Sequence, residues 1–133
     1  MGGLKTLLRL IPLFLALAAP LSAARAFPTT SDAQLQFFAT CVGRMSALME
    51  HQWMFDGAAS EITESHRETL ISLMNAVMPT GAGRDVLSLR IEAKLAHSAL
   101  LTRATFNENP EDAHWAELTA VRHTGECQSF LLG

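Results

Sequence analysis

SDAQLQFFATCVGRMSALMEHQWMF, residues 31–55, places Phe38, Cys41, Met45, Leu48 and Phe55 at steps of three, four, three and seven. An α-helix turns once in about 3.6 residues, so these steps put the five side chains on one face. The stretch therefore predicts an amphipathic helix over about Asp32–Phe55, capped by Thr30 or Ser31 and broken by Asp56-Gly57.

Three more helices follow outward from it. Ser60 is a start signal for the second, with Glu61 and Glu64 in its first turns, where the helix dipole favours acids. Ile62, Leu70, Leu73 and Val77 would form its apolar face. Pro79-Thr80-Gly81-Ala82-Gly83 ends it. The third is expected over about Arg84–Phe106, burying Leu87, Ile91, Leu95 and Leu101, with Val86, Ala93 and Leu100 widening the stripe. Asn109 then caps a fourth helix whose first residue is Pro110, a favoured position for proline, followed by Glu111 and Asp112. It runs to about Leu131 and is expected to bury Trp115, Leu118, Val121, Cys127, Phe130 and Leu131. No segment alternates as a strand does. The expectation is an all-α domain, a four-helix bundle with up-down-up-down topology.

That topology sets the last helix antiparallel to the first. Cys41 lies on the stripe of the first and Cys127 near the end of the last, so the topology agrees with a disulfide between the only two cysteines of the chain, which is expected independently for a chain exported to an oxidising compartment. Closing a loop of about 86 residues contributes roughly 4 kcal/mol in the chain-entropy model. No Cys-x-x-Cys is present, which argues against a redox-active pair or covalent haem.

The expectation of export, and with it of the disulfide, rests on the start of the chain. Lys5 and Arg9 precede an apolar run, Leu10–Ala19, then Pro20 and Ala24-Arg25-Ala26. This is the pattern of a secretory signal peptide, cleaved before Phe27. The run is too short for a membrane anchor, which needs about 20 apolar residues. The expectation is a leader over residues 1–26, one helical domain over residues 27–133, and a periplasmic or secreted location. Three of the 10 Lys+Arg (Lys5, Arg9, Arg25) fall in the leader, so 7 remain against 13 Asp+Glu, a formal charge of −6. Such a balance argues against nucleic acid and anionic membrane surfaces.

Few residues suggest chemistry. Met45, Met49 and Met54 with His51 are residue types that suit copper in an exported protein, yet His51 turns away from Met49 on a helix, and methionine also fills helical cores. Glu111-x-x-His114 has the spacing of one di-iron element, but a second such element is missing. His66 and His97, on or near apolar stripes, read as hydrogen-bonded core residues. His123, near Cys127, reads as a solvated or helix-dipole residue. No nucleophile elbow, His-Glu-x-x-His or phosphate loop is present; residues 79–84 are a hinge. No catalytic residue, metal ligand or cofactor is assigned. The best contact candidates are His51, Trp53, Met54 and Phe55, because Trp and Met are enriched at binding surfaces. The expected function is a non-catalytic binding, accessory or inhibitor module for another exported protein. The alternative is a Met/His metal-binding protein.

Overall fold

The computed structural model describes residues 27–132. The expected leader, residues 1–26, lies outside the described residues. Four helices are present: α1 Ser31–Gln52, α2 Gly57–Val77, α3 Gly83–Phe106 and α4 Pro110–Leu132. Each boundary has a local cause. The Thr30 side chain accepts from the Ala33 amide at the start of α1, and Asp56 accepts from Ala59 at the start of α2. Asn109 Oδ1 accepts from the amides of Glu111 and Asp112 and caps α4 as expected. Between α2 and α3 the chain turns through Gly81, whose φ of 87° favours glycine.

Ser60 does not cap α2. The chain reverses sooner, Asp56 takes that place, and Ser60 is buried with its hydroxyl donating to the Gly57 carbonyl. Likewise α1 ends at Gln52 rather than Phe55, because Trp53–Phe55 tighten into a turn.

The topology is up-down-up-down. Cys41 and Cys127 form a disulfide with Cα atoms 5.6 Å apart, joining α1 to α4 across 86 residues of sequence. α1 is the central helix, packed on α2 and α3. Arg67 Nε of α2 donates to Ser46 Oγ of α1 at 2.7 Å, and Thr63 Oγ1 to Gln52 Oε1 at 2.7 Å. α4 lies mainly on α3, and the backbones of α2 and α3 stay apart, although Leu70 and Met74 of α2 share a core cluster with Val86 of α3.

The tight approach of α1 to α3 depends on Gly43. A Cβ there would sit 2.9 Å from both the Ala93 Cβ and the Lys94 amide nitrogen, and closer still to the Arg90 carbonyl oxygen. One core cluster gathers Phe38, Cys41, Val42 and Met45 of α1 with Leu70, Met74, Val86 and Cys127. At that end Phe27 stacks on Phe130 with ring centroids 4.5 Å apart, and Phe37 and Phe38 complete the group. A smaller cluster of Ala47, Leu101 and Ala120 joins α1, α3 and α4. No helix among the described residues is long and apolar enough to cross a membrane.

The apolar faces of α3 and α4 differ in part from those expected: Val86, Leu101 and Cys127 are buried and Phe130 and Leu131 pack against the core as expected, but the rest of each stripe is not. Leu87, Ile91 and Leu95 are exposed, as are Trp115, Leu118 and Val121; so is Ile62 on α2. The buried faces are Val86, His97 and Leu101 on α3 and Ala116, Thr119, Ala120, Thr124 and Cys127 on α4. The physical reason is close packing. Small side chains let α3 and α4 settle near α1 and each other, and the bulky stripes turn out.

Candidate functional site

The end of the bundle formed by the α1–α2 and α3–α4 connections carries the expected contact residues. Backbone bonds from Trp53 to Met49, Met54 to His51, and Phe55 and Asp56 to Gln52 fold residues 53–56 into a tight turn. α2 begins at once with Gly57, so no loop is left to cover the turn. Trp53, Met54 and Phe55 are accordingly 62%, 60% and 61% exposed, and Phe106 at the end of α3 is 62% exposed. The Phe55 ring lies 5.0 Å from His51 and 6.4 Å from Phe106. His51 is half-buried and shares a 3.1 Å hydrogen bond with Thr105 Oγ1. The four expected residues thus fall on one end of the molecule, and α3 adds Phe106, which sequence periodicity assigned only as a helix terminus.

The α3–α4 connection at this end is held by charge. The Arg103 guanidinium grips both oxygens of Asp112, and Asn107 also donates to that carboxylate. The Arg103 hydrogen bond holds the Asp112 carboxyl below its ordinary range. The same guanidinium lies 4.9 Å from the ring centre of exposed Trp115. Asp56, Glu108 and Glu111 are exposed around these connections.

The copper-type residues do not converge. Met45 and Met49 are buried among the helices, while Met54 stands outside on the turn. Met74 is core and Met78 packs against the same cluster. Among the described residues no three His, Cys, Asp or Glu side chains come together in a metal-binding arrangement. His114 of the Glu111-x-x-His114 pair is exposed and lies 3.7 Å from Glu117, beyond hydrogen-bond range.

A second feature lies between α1, α3 and α4. A cavity of about 280 Å³ is lined by Leu48, Leu101 and Val121 together with His51, His97 and Thr124. His97 is 1% exposed, and both of its ring nitrogens are buried without a hydrogen-bond partner. A hydrogen-bonded core histidine was the expectation; the imidazole is instead uncommitted, because the α1 and α4 side chains facing it are apolar or engaged elsewhere. Thr124 Oγ1, for instance, donates to the Ala120 carbonyl of its own helix. Leaving such a group unsatisfied costs roughly 1–3 kcal/mol. Burial pushes the His97 imidazole down to about 4, reinforced by the positive charge of Arg44 and by His123 and His51. His123 is half-buried, its ring 6.2 Å from that of His97, rather than solvated at the helix end. Arg44 donates to the His123 carbonyl and pairs with Glu126 at 3.5 Å; burial lowers its affinity for a proton, and Glu126 opposes that. His66 also has a buried ring nitrogen, Nδ1, with no partner.

No family model matches this chain, and no curated protein or solved structure matches it either.

Proposed function

We propose that this protein is an exported, non-catalytic accessory module that binds a partner protein through the aromatic end of its bundle. The observation that carries the reading is the exposure of Trp53, Met54, Phe55 and Phe106, each 60% or more, on one end of the molecule. Contiguous exposed apolar side chains mark interaction sites, and Trp, Phe and Met are enriched in the cores of interfaces. The turn that presents them is fixed by backbone hydrogen bonds and by the Thr63–Gln52 bond, so little ordering remains for binding to oppose. Asp56, Glu108 and Glu111 flank the aromatic side chains, which favours a partner whose apolar pocket is rimmed by Arg or Lys. Export is supported by the leader pattern of residues 1–26 and by the disulfide, which persists in oxidising compartments.

A photo-crosslinking residue at position 54, irradiated in living cells, tests the reading. The expected result is a discrete adduct with a protein of different sequence, lost in a Trp53→Ala, Phe55→Ala variant whose helical circular dichroism is unchanged. The same crosslinker at exposed Thr69 should give no such adduct. Equal labelling from both positions, or adducts only with a second copy of this chain, would overturn it.

A further inference from the structure

We propose that the cavity between α1, α3 and α4 is a binding site for a small uncharged amphipathic molecule, of one or two rings, whose hydroxyl group hydrogen-bonds the His97 imidazole. The cavity of about 280 Å³ exceeds the roughly 150 Å³ that accommodates benzene in an engineered apolar cavity. Leu48, Leu101 and Val121 supply apolar walls. The pocket is open on one side, and His51, His97, Thr105, Glu117 and Thr124 add polar groups to its wall, a mixed lining that suits an amphipathic molecule.

The polar groups select the ligand. Thr124 is bonded to its own helix, and Thr105 is bonded to His51. His97 is the side chain of this lining with both polar atoms buried and unpartnered. A neutral imidazole offers one donor and one acceptor, and a hydroxyl group matches either. Charge on the ligand is disfavoured in both senses. The Arg44 guanidinium near His97 opposes a cation beside the imidazole. Arg44 is itself paired with Glu126, and Glu117 lines the cavity, so no free positive charge is left to hold an anion. The pocket opens to solvent beside exposed Thr105, Glu117 and Val121, and because the His97 ring nitrogens are buried its lining must shift for a ligand to reach them.

This inference is independent of the partner surface and uses different side chains, His51 excepted. Its test is a titration of the oxidised protein with phenol and with indole, read by the imidazole nitrogen resonances of His97 in long-range proton–nitrogen spectra. Benzoate and benzylammonium serve as charged counterparts. The expected result is saturable movement of the His97 resonances by the uncharged probes at millimolar concentration, with at least tenfold weaker binding of both charged ones. His97→Leu should weaken phenol binding at least tenfold. Val121→Trp, placed at an exposed lining position, should block the cavity without disturbing the core and weaken binding as much. His97 resonances unmoved by phenol and indole would overturn the proposal, as would tighter binding of benzoate or unchanged affinity in the Val121→Trp variant.

Discussion

At Gly43 a single missing methyl group decides how closely two helices pack. Its would-be Cβ meets the Arg90 carbonyl, which is backbone rather than the yielding end of a side chain. Gly43→Ala is therefore expected to lose about 1–3 kcal/mol, the usual range for overpacking, despite the better helix propensity of alanine. Gly125 lies within α4 with open space around it, and Gly125→Ala should gain up to about 1 kcal/mol. Urea unfolding of the two variants measures both, and a stabilised Gly43→Ala would contradict the packing described. His97 sets the pH response at the same scale. Its imidazole binds a proton near pH 4 in the fold and at 6.5 when unperturbed, so the unfolded chain takes up the proton first. Stability is then fullest above pH 6.5 and falls as pH drops from 6.5 towards 4. At about 1.36 kcal/mol per unit, reduced for partial solvent screening, the loss is about 2–3 kcal/mol. His97→Leu should flatten that part of the stability profile; an unchanged slope would show that other groups cause it.

Among the elements, the disulfide does most for the helix with the weakest hold on the centre. α1 is gripped by α2 and α3 over its length, whereas α4 rests mainly on α3 and reaches α1 through Cys127, Arg44 and the Phe130 contacts. Replacing Cys41 and Cys127 by serine is expected to cost about 3–4 kcal/mol overall. Hydrogen exchange should show residues 110–132 losing protection before α1 and α2 do. Uniform loss of protection would mean that the bridge stabilises the whole bundle evenly. The same elements show what the sequence could convey. The α1 stripe was legible because Phe38, Cys41 and Met45 are large or distinctive and face the centre. The end of α4 was read correctly in Cys127, Phe130 and Leu131, but its earlier turns were misread because their buried face is Ala116, Thr119, Ala120 and Thr124, whose small side chains give a weak hydrophobic signal beside Trp115, Leu118 and Val121. On α3 the step of four from Leu87 to Ile91 to Leu95 marks a real stripe, but an exposed one, of which Leu87 and Ile91 line an open groove with Arg67 of α2. Periodicity finds a stripe; which partner covers it depends on how closely the other helices approach, as the glycine and alanine positions show.

In the whole molecule, one end is closed by the Phe27, Phe37, Phe38 and Phe130 rings near the disulfide, and the other presents Trp53, Met54, Phe55 and Phe106 to solvent. The topology and the cysteine pairing were readable separately, the first from four helices with short connections and the second from two cysteines behind a leader pattern, and they agree because the middle of α1 lies beside the last turns of α4. Trp53 was readable as a contact candidate because it lies off the α1 stripe; the exposure of Phe55, a stripe residue, follows instead from the turn that ends α1 at Gln52, and Phe106 was not readable, since only the fold brings it to Phe55. The cavity was not readable at all, because Leu48, His97 and Val121 come from three helices and share no local pattern. The most direct measurement of the central claim is a native mass spectrum of the protein recovered from its compartment without reductant. The expected spectrum shows a chain starting at Phe27, lighter by the two hydrogens of a disulfide, carrying the mass of a second protein that disappears in the Trp53→Ala, Phe55→Ala variant. A chain that keeps its leader and free thiols, or one that holds a metal ion and no partner, would contradict it.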